Sequence, residues 1–167
     1  MATLKTSFGQ KQEWRNKAIA YLVDELTKLG QAACKEAIAR KGYKNRKYNL
    51  HDSIGSAVYV HGRIVPSSRR YAVRPMSTGT FKDRGSKGSG MEMTGREALD
   101  RYWASHSTIP YTNAVELVVI AGTFYSGILE NRGIQVISAA KKFASSRLAK
   151  YKSYNPKVYA KADLVEI

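Results

Sequence analysis

His51, Asp52 and Ser53 place the three side-chain types of a hydrolytic triad in consecutive positions. A nucleophile, its base and the group orienting that base must converge from different directions, which adjacent residues on one chain cannot do. Asp52 or Ser53 is expected instead to cap a turn ahead of the following strands. The histidines at 51, 61 and 106 lack helix-face spacing for a metal ion and have no carboxylate pair nearby, so they read as surface residues. The acids are few, scattered and mostly on exposed helix faces, and none form a general acid–base pair. Cys34 is the only cysteine, which excludes an internal disulfide and a cysteine-cluster zinc site and points to a reducing compartment. Inside a helical pattern it reads as a small core residue.

The glycine-rich stretch Asp83-Arg84-Gly85-Ser86-Lys87-Gly88-Ser89-Gly90 has the composition of a phosphate loop without its spacing. Five residues separate Gly79 from Gly85, Ser86 stands where a lysine is needed, and no strand leads in. Residues 77–95 contain five glycines and few large apolar side chains, so they read as a flexible loop that a partner could order. Its interaction candidates are the basic Lys82, Arg84 and Lys87 and the apolar Phe81, Met91 and Met93. Outside the loop, Glu130 precedes the Gly133 turn, where a carboxylate can accept backbone hydrogen bonds, and it joins them as an assembly candidate. No residue is assigned a catalytic, cofactor-binding or metal-binding role, and no cofactor is expected.

The 167 residues suit one domain, and 43% hydrophobic with 25% charged residues is an ordinary globular balance. The net charge is not ordinary. Lys and Arg number 28 against 13 Asp and Glu, giving +15, and each third of the chain is positive: +7 over residues 1–50, then +4 and +4. Such a field favours a polyanion or an acidic protein surface as neighbour. Eleven tyrosines could stack on bases, yet many fall in strand or core positions, and no groove-reading motif accompanies them. DNA contact is therefore expected to be non-specific. No apolar run approaches the ~20 residues of a membrane span, and the first residues lack the pattern of a signal peptide.

Alternating steps of three and four residues through Ile19, Leu22, Leu26, Leu29 and Ala33 predict one long amphipathic helix over residues 10–41, its face extended by Trp14, Ala18 and Ala37. Gly30 is a weak point where that helix could kink. Ala57–Val60 and Ile64–Val65 predict a tight hairpin about His61-Gly62-Arg63, and Tyr71–Val73 a third strand. A short helix follows over residues 96–105. Val115–Ala121 is the strongest strand, apolar enough to be central and covered on both faces. Phe124–Glu130 reads as a helical turn and Ile134–Ile137 as a strand. Ser138 is expected to cap a basic helix running to Tyr151. Residues 152–167 form a strand or a C-terminal arm.

Two segments resemble a known family. Tyr48-Asn49-Leu50-His51-Asp52-Ser53-Ile54-Gly55, followed at once by the Ala57–Val60 strand, resembles the helix–sheet junction Thr-Gly-x-Leu-x-x-Ser-Ile in neck and tail-completion proteins of long-tailed bacteriophages. Phe124–Gly133 is similar to the family's Tyr-Ala-x-x-x-Glu-x-Gly segment. Tyr48-Asn49 replaces Thr-Gly, Ser126 replaces Ala, and Val136-Ile137-Ser138 replaces a proline-rich approach to the last helix. Element order agrees over residues 10–150. The resemblance implies a non-enzymatic virion protein of the neck or tail, present in the host cytoplasm during assembly. It further implies a homo-oligomeric ring that DNA passes through and that contacts a portal-side adaptor or tail-tube proteins, with no membrane involved. The alternative from composition is a small basic protein that binds nucleic acid non-specifically. The fold expected is α+β: a long N-terminal helix and a C-terminal helix packed on a mainly antiparallel sheet, in one domain spanning residues 1–167.

Overall fold

The computed structural model describes residues 2–39, 49–72, 94–106, 114–123, 125–151 and 157–164. Helix α1 (Ala2–Ala39) runs for 38 residues, about 57 Å at 1.5 Å per residue. Its stripe of Leu22, Leu26, Leu29, Ala33 and Ala37 is buried, as the three-and-four spacing requires. The stripe ends sooner than the spacing suggests. Trp14 is 74% exposed, and among the described side chains of α1 those in the core start at Ile19 and Leu22.

One helical turn, α2 (Asn49–Asp52), leads into β1 (Ile54–Val60), and a two-residue turn joins β1 to β2 (Arg63–Ile64). Both turn residues are left-handed, His61 at φ 51° and Gly62 at φ 75°, a geometry whose twist matches paired antiparallel strands. Strand β3 (Arg70–Tyr71) pairs with the start of β1 on the same edge. Along its whole length β1 pairs antiparallel with β4 (Ala114–Ala121). The tail resolves into a strand rather than an arm: β5 (Lys157–Leu164) pairs parallel with β4. The sheet order is thus β2–β1–β4–β5, with β3 beside β2 on the free edge of β1. The fold is α+β on a mainly antiparallel sheet.

All eight residues of β4 are buried, and alternation along β1 and β4 divides the core in two. Ile54, Val58, Leu117 and Val119 pack under α1 and the C-terminal helix α5 (Ser138–Leu148). Ala57, Tyr59, Val118 and Ile120 pack against Ala98, Leu99 and Tyr102 of α3 (Gly95–His106) on the opposite face. Edge-to-face contact between Tyr59 and Tyr102, with centroids 5.6 Å apart, fills that second layer.

Two glycine positions set how closely these layers approach. A β-carbon on Gly30 would lie 2.6 Å from Ser56 Oγ and 2.9 Å from Leu117 Cδ1. Gly30 is therefore a close-packing residue inside an unbroken helix. A β-carbon on Gly95 would meet the Ile54 carbonyl at 2.9 Å, so the start of α3 lies backbone to backbone on β1. Gly95 belongs to α3, whose first turn is closed by a capping box. Thr94 Oγ1 accepts the Glu97 N–H at 3.2 Å and Glu97 Oε2 accepts the Thr94 N–H at 2.8 Å.

Candidate assembly surfaces

The triad-like residues are structural. Ser53 is fully buried and its hydroxyl donates to the Leu50 carbonyl at 2.8 Å, closing α2. Burial raises the Asp52 carboxyl above its usual range. His51 is buried beside Leu50, not at the surface, because α2 turns it inward. His61 is exposed at the hairpin tip. Cys34 is wholly buried, and desolvation pushes its thiol up to about 12 despite the Ser56 hydroxyl alongside. Glu116 is a buried acid near the start of β4, level with Tyr59, in an otherwise apolar run. Among the described residues no three His, Cys, Asp or Glu side chains converge, and no helix is long and apolar enough to cross a membrane.

Of the interaction candidates, Phe81, Lys82, Arg84, Lys87, Met91 and Met93 lie outside the described residues. Glu130 lies within them, and its carboxylate turns inward. It sits in the short helix α4 (Tyr125–Asn131), which starts where the Ser126 N–H reaches the Thr123 carbonyl at 3.0 Å. Gly133, at φ 75°, ends α4. Its N–H reaches the Glu130 carbonyl and the Ile134 N–H reaches that of Leu129, both at 2.9 Å. This paired closure at a left-handed glycine reverses the chain. The reversal brings residues 136–138 over the Glu130 side chain. Oε1 accepts the N–H groups of Val136, Ile137 and Ser138 at 2.8, 2.5 and 2.9 Å. Burial pushes this carboxyl upward, but the three N–H donors outweigh it and hold Glu130 below its usual range.

Ile134–Ile137 is not a strand, since Glu130 has taken the N–H groups that a ladder would need. Ser138 is the first residue of α5 rather than its cap; Ile137 occupies the cap position without a side-chain bond, and Glu130 supplies the acceptor. The far end of α5 is tied as well. The hydroxyl of Tyr151 donates to Glu25 Oε2 of α1 at 3.0 Å.

Two surfaces remain open outward. The first is the leading part of α1, where residues 9–14 are all exposed and where Trp14 and Tyr21, 74% and 49% exposed, are two of the large apolar side chains left in water. The second is the outer face of α5 and of the 3-10 turn that continues it (Ala149–Tyr151), where Lys141, Lys142, Arg147 and Lys150 are exposed. An open groove of about 310 Å³ runs beside it, lined by Glu36, Gln135, Lys142, Phe143, Ser146 and Arg147. The α5 cations were legible as a basic helix; the groove depends on the α1–α5 packing and had no local signal. Comparison with protein-family models, characterised proteins and solved structures gives no match.

Proposed function

We propose that this chain is a structural subunit of a homo-oligomeric ring at the head–tail junction of a long-tailed bacteriophage, through which DNA passes. The observation that carries the reading is the leading part of α1. Trp14, in line with the buried stripe of that helix, lies beyond the core of its own subunit and is 74% exposed. A closed ring uses head-to-tail contacts, in which an element projecting from one subunit seats on a different surface of the next. An unsheathed helix end with a large aromatic side chain is suited to that role. The helix–sheet junction at residues 48–55 and the segment at 124–133 support the same assignment by their resemblance to neck and tail-completion proteins. Glu130 serves this reading as the residue that fixes α5 on the subunit, without chemistry of its own.

The charge sets the conditions of assembly. Subunits of +15 repel one another, so ring closure needs counterions, an acidic portal-side or tail-tube partner, or DNA. Light scattering coupled to size exclusion, followed by electron microscopy, tests this at rising salt. The expected result is a discrete ring that gains population with salt or with the neck partner. A strict monomer at every salt concentration and with that partner, yet binding DNA tightly, would establish the small nucleic-acid-binding protein instead.

A further inference from the structure

We infer that the outer face of α5 is a binding surface for the phosphate backbone of duplex DNA, contacted without regard to sequence. This deepens the proposed reading, in which DNA is the polyanion at hand, but the contact belongs to the single subunit. Residues 138–151 include four cations and no acid. Between those cations the exposed positions are Ser145, Ser146 and Ala149, so nothing bulky holds a duplex away from the charges.

Several cations elsewhere on the described surface are paired with acids, and exposed ones without an ion pair to a described residue, among them Arg63, Arg96 and Arg132, lie on separate elements. Lys17 pairs with Glu13 and Lys28 with Asp24, each at 2.7 Å, and Arg69 pairs with Asp100. Lys150 leans toward Glu25 at 3.6 Å. Lys141, Lys142 and Arg147 form no ion pair with a described residue. Arg147 is held in place by lying 3.7 Å over the Phe143 ring. Glu36, across the groove, is the acid nearest this face among the groove's lining residues.

At about 100° per residue Lys142, Arg147 and Lys150 fall within an arc of about 140° over about 12 Å of axis, with Lys141 on the flank, while duplex DNA carries a negative charge every ~1.7 Å. These cations are therefore close enough along the axis to meet more than one phosphate. Glu130 already occupies the N-terminal N–H groups of α5, so the contacts come from side chains. An acidic protein partner fits less well. Protein interfaces rely on buried aromatic or apolar anchors, and this face offers lysine, arginine, serine and alanine, the chemistry of backbone contacts.

The test is fluorescence anisotropy with a labelled mixed-sequence duplex across a salt series. The full chain is compared with the triple variant Lys141→Gln, Lys142→Gln, Arg147→Gln. A control variant, Arg63→Gln, Arg96→Gln, Arg132→Gln, removes the same charge elsewhere and leaves the leading part of α1 intact. Circular dichroism confirms that each is folded. The α5 variant should bind at least about tenfold more weakly, with a salt slope shallower by about 3, and the control should change little. Equal weakening in both variants would reduce the effect to net charge and overturn the assignment. So would a parent chain that fails to bind at low salt, or an α5 variant that binds like the parent. Size-exclusion mass is read on the same samples. A monomer binding DNA through α5 upholds this surface and removes the ring, whereas a ring indifferent to DNA does the reverse.

Discussion

Glu130 Oε1 accepts the backbone N–H of Ser138 at 2.9 Å, so α5 begins on an acid carried by the preceding helix. One oxygen takes the N–H groups of Val136 and Ile137 too, and α4, its glycine closure and α5 become one unit. The far end is pinned to α1 through Tyr151 and Glu25. The segment that carries the cations is thereby tied to α4 at its start and to the long helix at its end.

Glu130→Gln should be about 1–2 kcal/mol less stable than the parent at pH 7, since hydrogen bonds to a charged acceptor are replaced by neutral ones. The parent carboxyl is held below its ordinary value near 4.5. Its contribution is present above that value and is lost as pH falls through the depressed folded value. Urea unfolding at pH 7, 5, 4 and 3 should therefore show the gap between parent and variant closing with acid. A gap constant with pH would mean that the charge on Glu130 plays no part.

Gly30→Ala should destabilise by about 1–2 kcal/mol despite the gain in helix propensity. The added methyl meets Ser56 Oγ and Leu117 Cδ1 inside 3.0 Å. Gly9→Ala, with nothing within 4 Å, should instead gain about 0.5–1 kcal/mol in the same helix. Combining Gly30→Ala with Ser56→Ala should recover part of the loss, because one of the two clashing atoms is gone. Thermal unfolding of the four proteins checks both signs.

Much of this architecture is written locally. The spacing from Leu22 to Ala33 and the apolar run of β4 declare a one-sided helix and a two-sided strand, and both form as read. What escapes is decided at a distance. Strand β5 has weak alternation of its own and exists through parallel pairing with β4, whose residues lie more than 35 positions earlier. Ile134–Ile137 has strand composition, but an acid at position 130 takes its N–H groups. Gly30 looks like a fault by propensity and is a contact by packing. Thr94-Gly95-Arg96-Glu97 does spell a capping box, hidden because the glycine-rich composition runs into it.

Thr94→Ala should cost about 1 kcal/mol, the usual value of a lost helix cap. The hydroxyl accepts the Glu97 N–H at 3.2 Å and lies 3.0 Å from Glu97 Oε2. Hydrogen exchange should locate the effect in the first turn of α3, with the amides of β4 protected as before. Faster exchange throughout β4 would show that α3 and the sheet open as one unit.

Removing residues 2–18 should separate folding from assembly. Among the described side chains of α1 the first fully buried one is Leu22, and Ile19 is retained, so the deleted residues 9–18 contribute little to the core. The melting temperature should move by no more than about 2 °C, as for other changes confined to the surface. Assembly should fail, leaving a monomer under the salt and partner conditions that close the parent ring. Trp14→Ala should weaken assembly in the same direction, because an aromatic anchor is the part of an interface whose loss is felt most. Mass by light scattering, read beside a thermal melt, distinguishes the outcomes. A shortened chain that still closes rings would move the interface away from α1. One that unfolds would show that the leading turns belong to the subunit's own fold.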